Sequence, residues 1–244
     1  MFAQFQYVGH RGASYYAPEN SLGSIKLAWQ LGCDGAECDI QFTKDRQIIL
    51  SHDANTGRMT DQKLVISETN YSDLRKLNLK LSATNSTWFE GEKMPLLKDV
   101  LTTIPKDRML VIEIKCGNEV FPELQKVIKK YWRTGKIAFI SFSFETIAQA
   151  KVLFPVVPCY YLSSSKDDII KRIPEINKAK LDGVDANYKA IDQQLVDELK
   201  NAKLEIWCWT IDTKEETIRM RDLGVKVITT NRPTWLKEQL MVVK

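Results

Sequence analysis

The chain has 244 residues, 44% of them hydrophobic, and its 35 basic and 31 acidic side chains leave a net charge of +4. That length is enough for one substantial core, and no apolar run is long enough for a membrane-spanning helix, so no stable membrane insertion is expected. The basic residues are spread along the chain, not gathered into a stripe with interleaved aromatics, which speaks against nucleic-acid binding.

The first residues, Met1 to Gln6, lack the basic segment and apolar stretch of a signal peptide. A cytoplasmic location is the default expectation, with periplasmic or secreted locations open if a leader was trimmed. From there, short β-rich runs fall at 6–10, 36–42, 47–52, 109–115, 137–142, 156–162, 182–187, 205–211 and 225–230. Helical patterns fall near 21–32, 120–133, 144–153, 167–179, 192–202, 214–223 and 233–241. Ser143 before Phe144-Glu145-Thr146, and Asp212-Thr213 before Lys214-Glu215-Glu216, read as helix starts. Pro233 suits the first turn of the last helix. The basic stretch from Lys126 to Lys136 reads as the solvated face and end of a helix.

Strand–helix alternation implies parallel strands joined by right-handed crossovers. Eight such units in a chain of this size predict an α/β fold, a (β/α)8 TIM barrel. An open doubly wound sheet is the rival, weakened by the lack of a Gly-x-Gly-x-x-Gly or Walker loop. The stretch from about 53 to 95 breaks the rhythm with turn-rich segments, Asn55-Thr56-Gly57 and Ala83 to Thr87, around a short helical pattern at 71–79. It reads as a small cap inserted after the second barrel strand and lying over the mouth. The expectation is therefore a single barrel domain over 1–244 with that insertion. The five cysteines lack Cys-x-x-Cys spacing and read as buried thiols, with Cys116 the one to test for reactivity.

Barrel enzymes work at the C-terminal ends of their strands, and the polar residues gather there. The first run ends in His10-Arg11, and the run at 47–52 ends in His52-Asp53. Glu37 and Asp39 are two apart on a strand and so share a face, as do Glu113 and Lys115, and Trp207 and Trp209. The tryptophan pair fits core packing as well as ligand stacking. Two carboxylates about 4 Å apart repel by roughly 4 kcal/mol at an effective dielectric near 20, so three in one pocket need a cation or a proton. All-oxygen ligation by Glu37, Asp39 and Glu113 suits Ca²⁺ or Mg²⁺. These three charges, a divalent cation, Arg11 and Lys115 leave the site at +1, suited to one phosphodiester anion. His10 and His52 then supply a general base and a general acid.

At these positions the chain resembles the glycerophosphodiester phosphodiesterase family. The resemblance rests on His10-Arg11-Gly12-Ala13 with Ala17-Pro18-Glu19-Asn20-Ser21, then Gly35-Ala36-Glu37-Cys38-Asp39-Ile40, then His52-Asp53. It continues through Gly57-Arg58, Trp88-Phe89 and Gly91 to Leu97 to Glu113-Ile114-Lys115, Ser141-Phe142-Ser143, Trp209-Thr210-Ile211-Asp212 and Gly224 to Pro233. Ser21 stands where Thr is common in that family, and Asn231 where Asp is common. The resemblance implies hydrolysis of a small glycerophosphodiester to glycerol 3-phosphate and an alcohol. It makes Glu37, Asp39 and Glu113 the ligands of one divalent cation, Ca²⁺ or Mg²⁺. Arg11 and Lys115 become phosphate contacts, Trp209 lines the glycerol side, and His10 and His52 form the base and acid pair, with His52 favoured as the acid. The alternatives are a phospholipase-type activity on intact phospholipids, for which Tyr15, Tyr16, Trp88 and Phe89 are the candidate apolar rim, and a non-catalytic phosphoester-binding barrel. Nothing in the sequence sets an oligomeric state.

Overall fold

The computed structural model describes residues 6–81 and 87–241; most of the predicted turn at Ala83 to Thr87 lies outside the described residues. The chain runs β1 (Gln6–Gly9), α1 (Leu22–Gln30), β2 (Gly35–Phe42) and β3 (Ile48–Leu50), then α2 (Tyr71–Leu74) and α3 (Leu97–Leu101). There follow β4 (Met109–Ile114), α4 (Phe121–Tyr131), β5 (Lys136–Ser141), α5 (Phe144–Leu153), β6 (Cys159–Ser163) and α6 (Lys166–Lys178). The last third is β7 (Gly183–Asn187), α7 (Gln193–Asn201), β8 (Glu205–Trp209), α8 (Lys214–Asp222), β9 (Val227–Thr230) and α9 (Pro233–Met241).

All strands but β3 are parallel, and β1 pairs with both β9 and β2, which closes the sheet into a (β/α)8 barrel. The period of two along each strand sorts its side chains into two layers. Val8, Val111, Ala138, Ile140, Tyr160, Leu162, Trp207 and Val227 fill the barrel interior. Residues of the opposite face, such as Cys38, Ile112, Phe139, Val184 and Ile228, belong to the larger core shared with the outer helices. Serine starts several of these helices: Ser21 accepts from the Ser24 amide at 2.9 Å and Ser143 from the Thr146 amide at 3.2 Å.

The run expected at 47–52 is shorter, β3, and forms an antiparallel hairpin with β2 outside the barrel ring. The cap that follows has its own small core of Ile66, Leu74, Leu77, Leu79, Met94 and Leu96 packed on Ile49. It exits into α3, which the sequence pattern did not reveal. With Leu97, Val100 and Leu101 buried, α3 packs against α1 and α4 and fills the place of the barrel's second outer helix. Asp212 does not cap α8, where Thr213 takes the cap position without a side-chain hydrogen bond. Lys126, Lys129 and Lys130 lie on the exposed face of α4, and all five cysteines are free. Burial pushes the Cys116 thiol up to about 12, so it is a poor nucleophile at neutral pH. Among the described residues no helix is long and apolar enough to cross a membrane.

Candidate active site

The apolar filling of the barrel stops short of the strands' C-terminal ends, where the interior-facing positions turn polar. A cleft opens there, lined by His10, Arg11, Glu37, His52, Glu113, Phe142, Asp185, Trp209 and Thr229, with the apolar Ile140 and Leu162. Asp39 and Lys115 join it through ion pairs. The expected site residues therefore converge, although they come from segments spread over the whole chain.

Glu37 and Asp39 stand on β2, and Asp39 is in register with Glu113 on β4. Each of the three offers a carboxylate oxygen within 4.8 Å of the others, and all three are buried. Burial, then the charges of Asp39 and Glu113, pushes the Glu37 carboxyl well up. Burial and the neighbouring Asp39 push Glu113 to about 7. Asp39 resists its own burial because Arg11, Lys115 and Asn20 hold its carboxyl below the usual range. Three buried oxygens of this kind, two reluctant to ionise together, fit a hard divalent cation.

The β1–α1 loop builds the rest of that shell. Arg11 has a positive φ of 53°, and its amide donates to Glu37 Oε2 at 2.8 Å. Its guanidinium lies 2.9 Å from Glu19 and 3.4 Å from Asp39. Gly12 has a φ of +80°, and a Cβ there would lie 2.5 Å from the backbone of Ser24, so the turn accepts no side chain. Asn20 grips Asp39 twice, donating from Nδ2 to Oδ2 at 2.8 Å and accepting the Asp39 amide at 3.0 Å. The opening motif is thus a scaffold, with Glu19 aiming Arg11, Asn20 aiming Asp39 and Ser21 starting α1. Lys115 Nζ lies 2.9 Å from Glu113 and 3.6 Å from Asp39.

The two imidazoles are held differently. His10 Nδ1 lies 2.8 Å from Asn231 Oδ1. The Asn231 amide is fixed in turn by Asp212, which accepts its backbone N–H at 2.8 Å and its Nδ2 at 2.5 Å. An ionised carboxylate only accepts, so Nδ2 faces Asp212 and Oδ1 faces His10. His10 then carries its proton on Nδ1 and keeps a lone pair on Nε2. Burial and the Arg11 charge lower its pKa to about 4. His52 Nδ1 instead meets a carboxylate, Asp53, at 2.8 Å. Although burial acts the other way, hydrogen bonds from His52 and Arg58 hold Asp53 below the usual range. The hairpin places His52: the Ser51 amide donates to the Asp39 carbonyl at 3.0 Å and Gln41 Nε2 to the His52 carbonyl at 3.4 Å.

Arg58, from the cap, reaches Asp53 at 2.6 Å and Glu19 at 2.6 Å, so the cap is tied directly to the rim of the cleft. Glu19, Asp53 and Arg58 were outside the sequence-level charge count and add one net negative charge near the mouth. Trp207 and Trp209 share the interior face but divide the roles left open above. Trp207 stacks on Tyr160 at 3.8 Å in the core, whereas Trp209 lines the cleft edge-on to Phe142 at 5.5 Å. Sequence reasoning missed Asp185, which sits in an apolar run on β7 and faces the cleft; a lone carboxylate in such a run was the available signal. Asp212 and Asn231 were seen, one as a helix start and the other as a departure, but their joint hold on His10 was not.

Residues 10–234 match the model of the glycerophosphoryl diester phosphodiesterase family. A glycerophosphodiester phosphodiesterase of Caldanaerobacter subterraneus is 29% identical over 234 residues, covering 94% of this chain and 95% of that protein. A lysophospholipase D of Rattus norvegicus is 26% identical over 270 residues, covering 96% of this chain and 86% of that protein. Among solved structures, an Oleispira antarctica phosphodiesterase in complex with its product sn-glycerol-3-phosphate superposes with a TM-score of 0.89 at 24% identity, covering 98% of each chain. A family match over nearly the whole sequence, on a closed barrel of the same fold, identifies the chain as an enzyme of the glycerophosphoryl diester phosphodiesterase family.

Proposed function

We propose that the chain hydrolyses small glycerophosphodiesters to glycerol 3-phosphate and an alcohol, with His10 as general base and His52 as general acid. The observation that carries this reading is the unequal support of the two imidazoles lining one cleft. His10, held by a neutral amide, offers a free Nε2 lone pair to take the proton of the attacking oxygen, either water or a glycerol hydroxyl. His52, whose ring is oriented by the Asp53 carboxylate at Nδ1, is the group that passes a proton to the departing alkoxide. Opposite partners on two titratable groups in one site are the usual mark of a base and an acid.

Glu37, Asp39 and Glu113 would hold one divalent cation, Ca²⁺ or Mg²⁺, which when bound supplies Lewis-acid stabilisation of phosphoryl charge. Arg11 and Lys115 are the cationic contacts for the phosphate, and Glu19 keeps Arg11 aimed at it. Trp209 and Phe142 give the glycerol end an apolar wall. Capture without turnover would need no acid–base pair, so hydrolysis is favoured over binding alone. Phosphorus NMR of purified protein with glycerophosphocholine should show glycerol 3-phosphate as the sole phosphomonoester. His10→Ala and His52→Ala should each slow its release at least ~10²-fold. Choline phosphate as product, or a loss under threefold in either variant, would refute the assignment.

A second reading extends the substrate to lysophospholipids. Trp88 in the cap is 91% exposed, and a relative is a lysophospholipase D. Co-sedimentation with lysophospholipid-containing vesicles, lost in Trp88→Ala, would support it; absence of binding would oppose it.

A further inference from the structure

Asp185 has no part in the chemistry described above. It projects from β7 into the barrel interior, is 1% exposed, and its Oδ1 has no hydrogen-bond partner. On the flanking strands its register partners are Leu162 and Trp207, which offer it no hydrogen bond. The cleft it lines includes the apolar Ile140, Leu162 and Phe142, together with Thr229. Leaving a buried polar atom unpaired costs about 1–3 kcal/mol, so a protein that places one in the wall of a ligand cleft gains if a ligand completes it. Trp209 Nε1 donates to the Asp185 backbone carbonyl at 3.1 Å, fixing this part of β7 against the indole that lines the same cleft.

We propose that Asp185 is a specificity-determining residue whose side chain hydrogen-bonds a hydroxyl of the glycerol moiety. This rests on the reading of the cleft as a glycerophosphodiester site. Arg11, Glu37 and Glu113 line the cleft together with Asp185. A phosphate held by Arg11 would therefore bring its glycerol carbons into the same cleft as Asp185. Burial, together with the charge of Glu113, pushes the Asp185 carboxyl well up. The unpaired Oδ1 can accept from a hydroxyl whether or not the carboxyl is protonated.

Calorimetry with glycerol 3-phosphate and n-propyl phosphate, which lacks both hydroxyls, reads the contact without requiring turnover. With Ca²⁺ or Mg²⁺ present, the unaltered protein should bind glycerol 3-phosphate about tenfold more tightly, the size of one net hydrogen bond. Asp185→Leu should bring the two affinities together, and Asp185→Asn, which still donates and accepts, should keep the preference within threefold. Equal affinities in the unaltered protein would overturn the inference even if the Leu variant failed to fold, and so would a preference that survives Asp185→Leu. In the hydrolysis assay, Asp185→Leu should lower kcat/KM equally for the choline, ethanolamine and glycerol diesters. A loss confined to the choline diester would place Asp185 on the alcohol side and also overturn it. Failure of the unaltered protein to hydrolyse any of these diesters would refute the proposed function instead, while the calorimetric preference would still test Asp185.

Discussion

His10 and His52 are chemically identical side chains whose Nδ1 partners differ, one an amide and one a carboxylate. With the cation saturating, the acid limb of the kcat/KM profile should fall only as the pH passes through about 4, where His10 gains a proton. Asn231→Asp would put an anion beside that imidazole and favour its protonated form. The acid limb of the kcat/KM profile should then move to higher pH by about one unit; an unmoved limb would show that Asn231 does not act through His10. Glu113 adds a second test at this scale. Because its carboxyl is pushed to about 7, a cation arriving at neutral pH must displace a proton. Calorimetric titration of Ca²⁺ or Mg²⁺ in buffers of different ionisation enthalpy should register proton release at pH 7, and less in Glu113→Gln.

The elements that place these side chains were legible in the sequence to different degrees. The alternation of β-rich runs and amphipathic helices gave the barrel because period two and period 3.6 are imposed by its two layers. The helix α3 was missed because Leu96, Leu97, Val100 and Leu101 are too few to establish a period. Its burial is nevertheless complete at Leu101, and Leu101→Ala should cost about 2–5 kcal/mol in a denaturant melt; a cost under 1 kcal/mol would mean that α3 is not part of the outer layer. The cap was recognised as an insertion, but its tie to the site was hidden. Arg58 is one of many surface cations in the sequence, and only the folded hairpin brings it to Asp53 and Glu19. Asp185 was obscured by its apolar setting, and Asp212 by the generic look of an Asp ahead of a helix.

Over the whole molecule, the fold gathers carboxylates from distant segments into one buried cluster whose mutual repulsion acts against the native state. Glu37 and Glu113 have raised pKa values in the folded protein, so their contribution favours the fold below the ordinary carboxylate pKa. It is lost as the pH rises through their folded values. A bound cation relieves this penalty, and binding to the native state alone raises stability. Added Ca²⁺ or Mg²⁺ should therefore raise Tm more at pH 8 than at pH 5.5, with the difference lost in Glu37→Gln/Glu113→Gln. The motifs were legible because Glu37, Asp39 and Glu113 sit at regular strand positions. The reciprocal grip of Asn20 on Asp39 shows why the neighbouring loop carries a fixed pattern as well.

The most direct test of the account is release of glycerol 3-phosphate from glycerophosphocholine before and after chelation. Treatment with EDTA should abolish it, and Ca²⁺ or Mg²⁺ in excess should restore it in the unaltered protein but not in Asp39→Asn. Release that continues unchanged after exhaustive chelation would contradict the assignment of the three carboxylates to a catalytic cation.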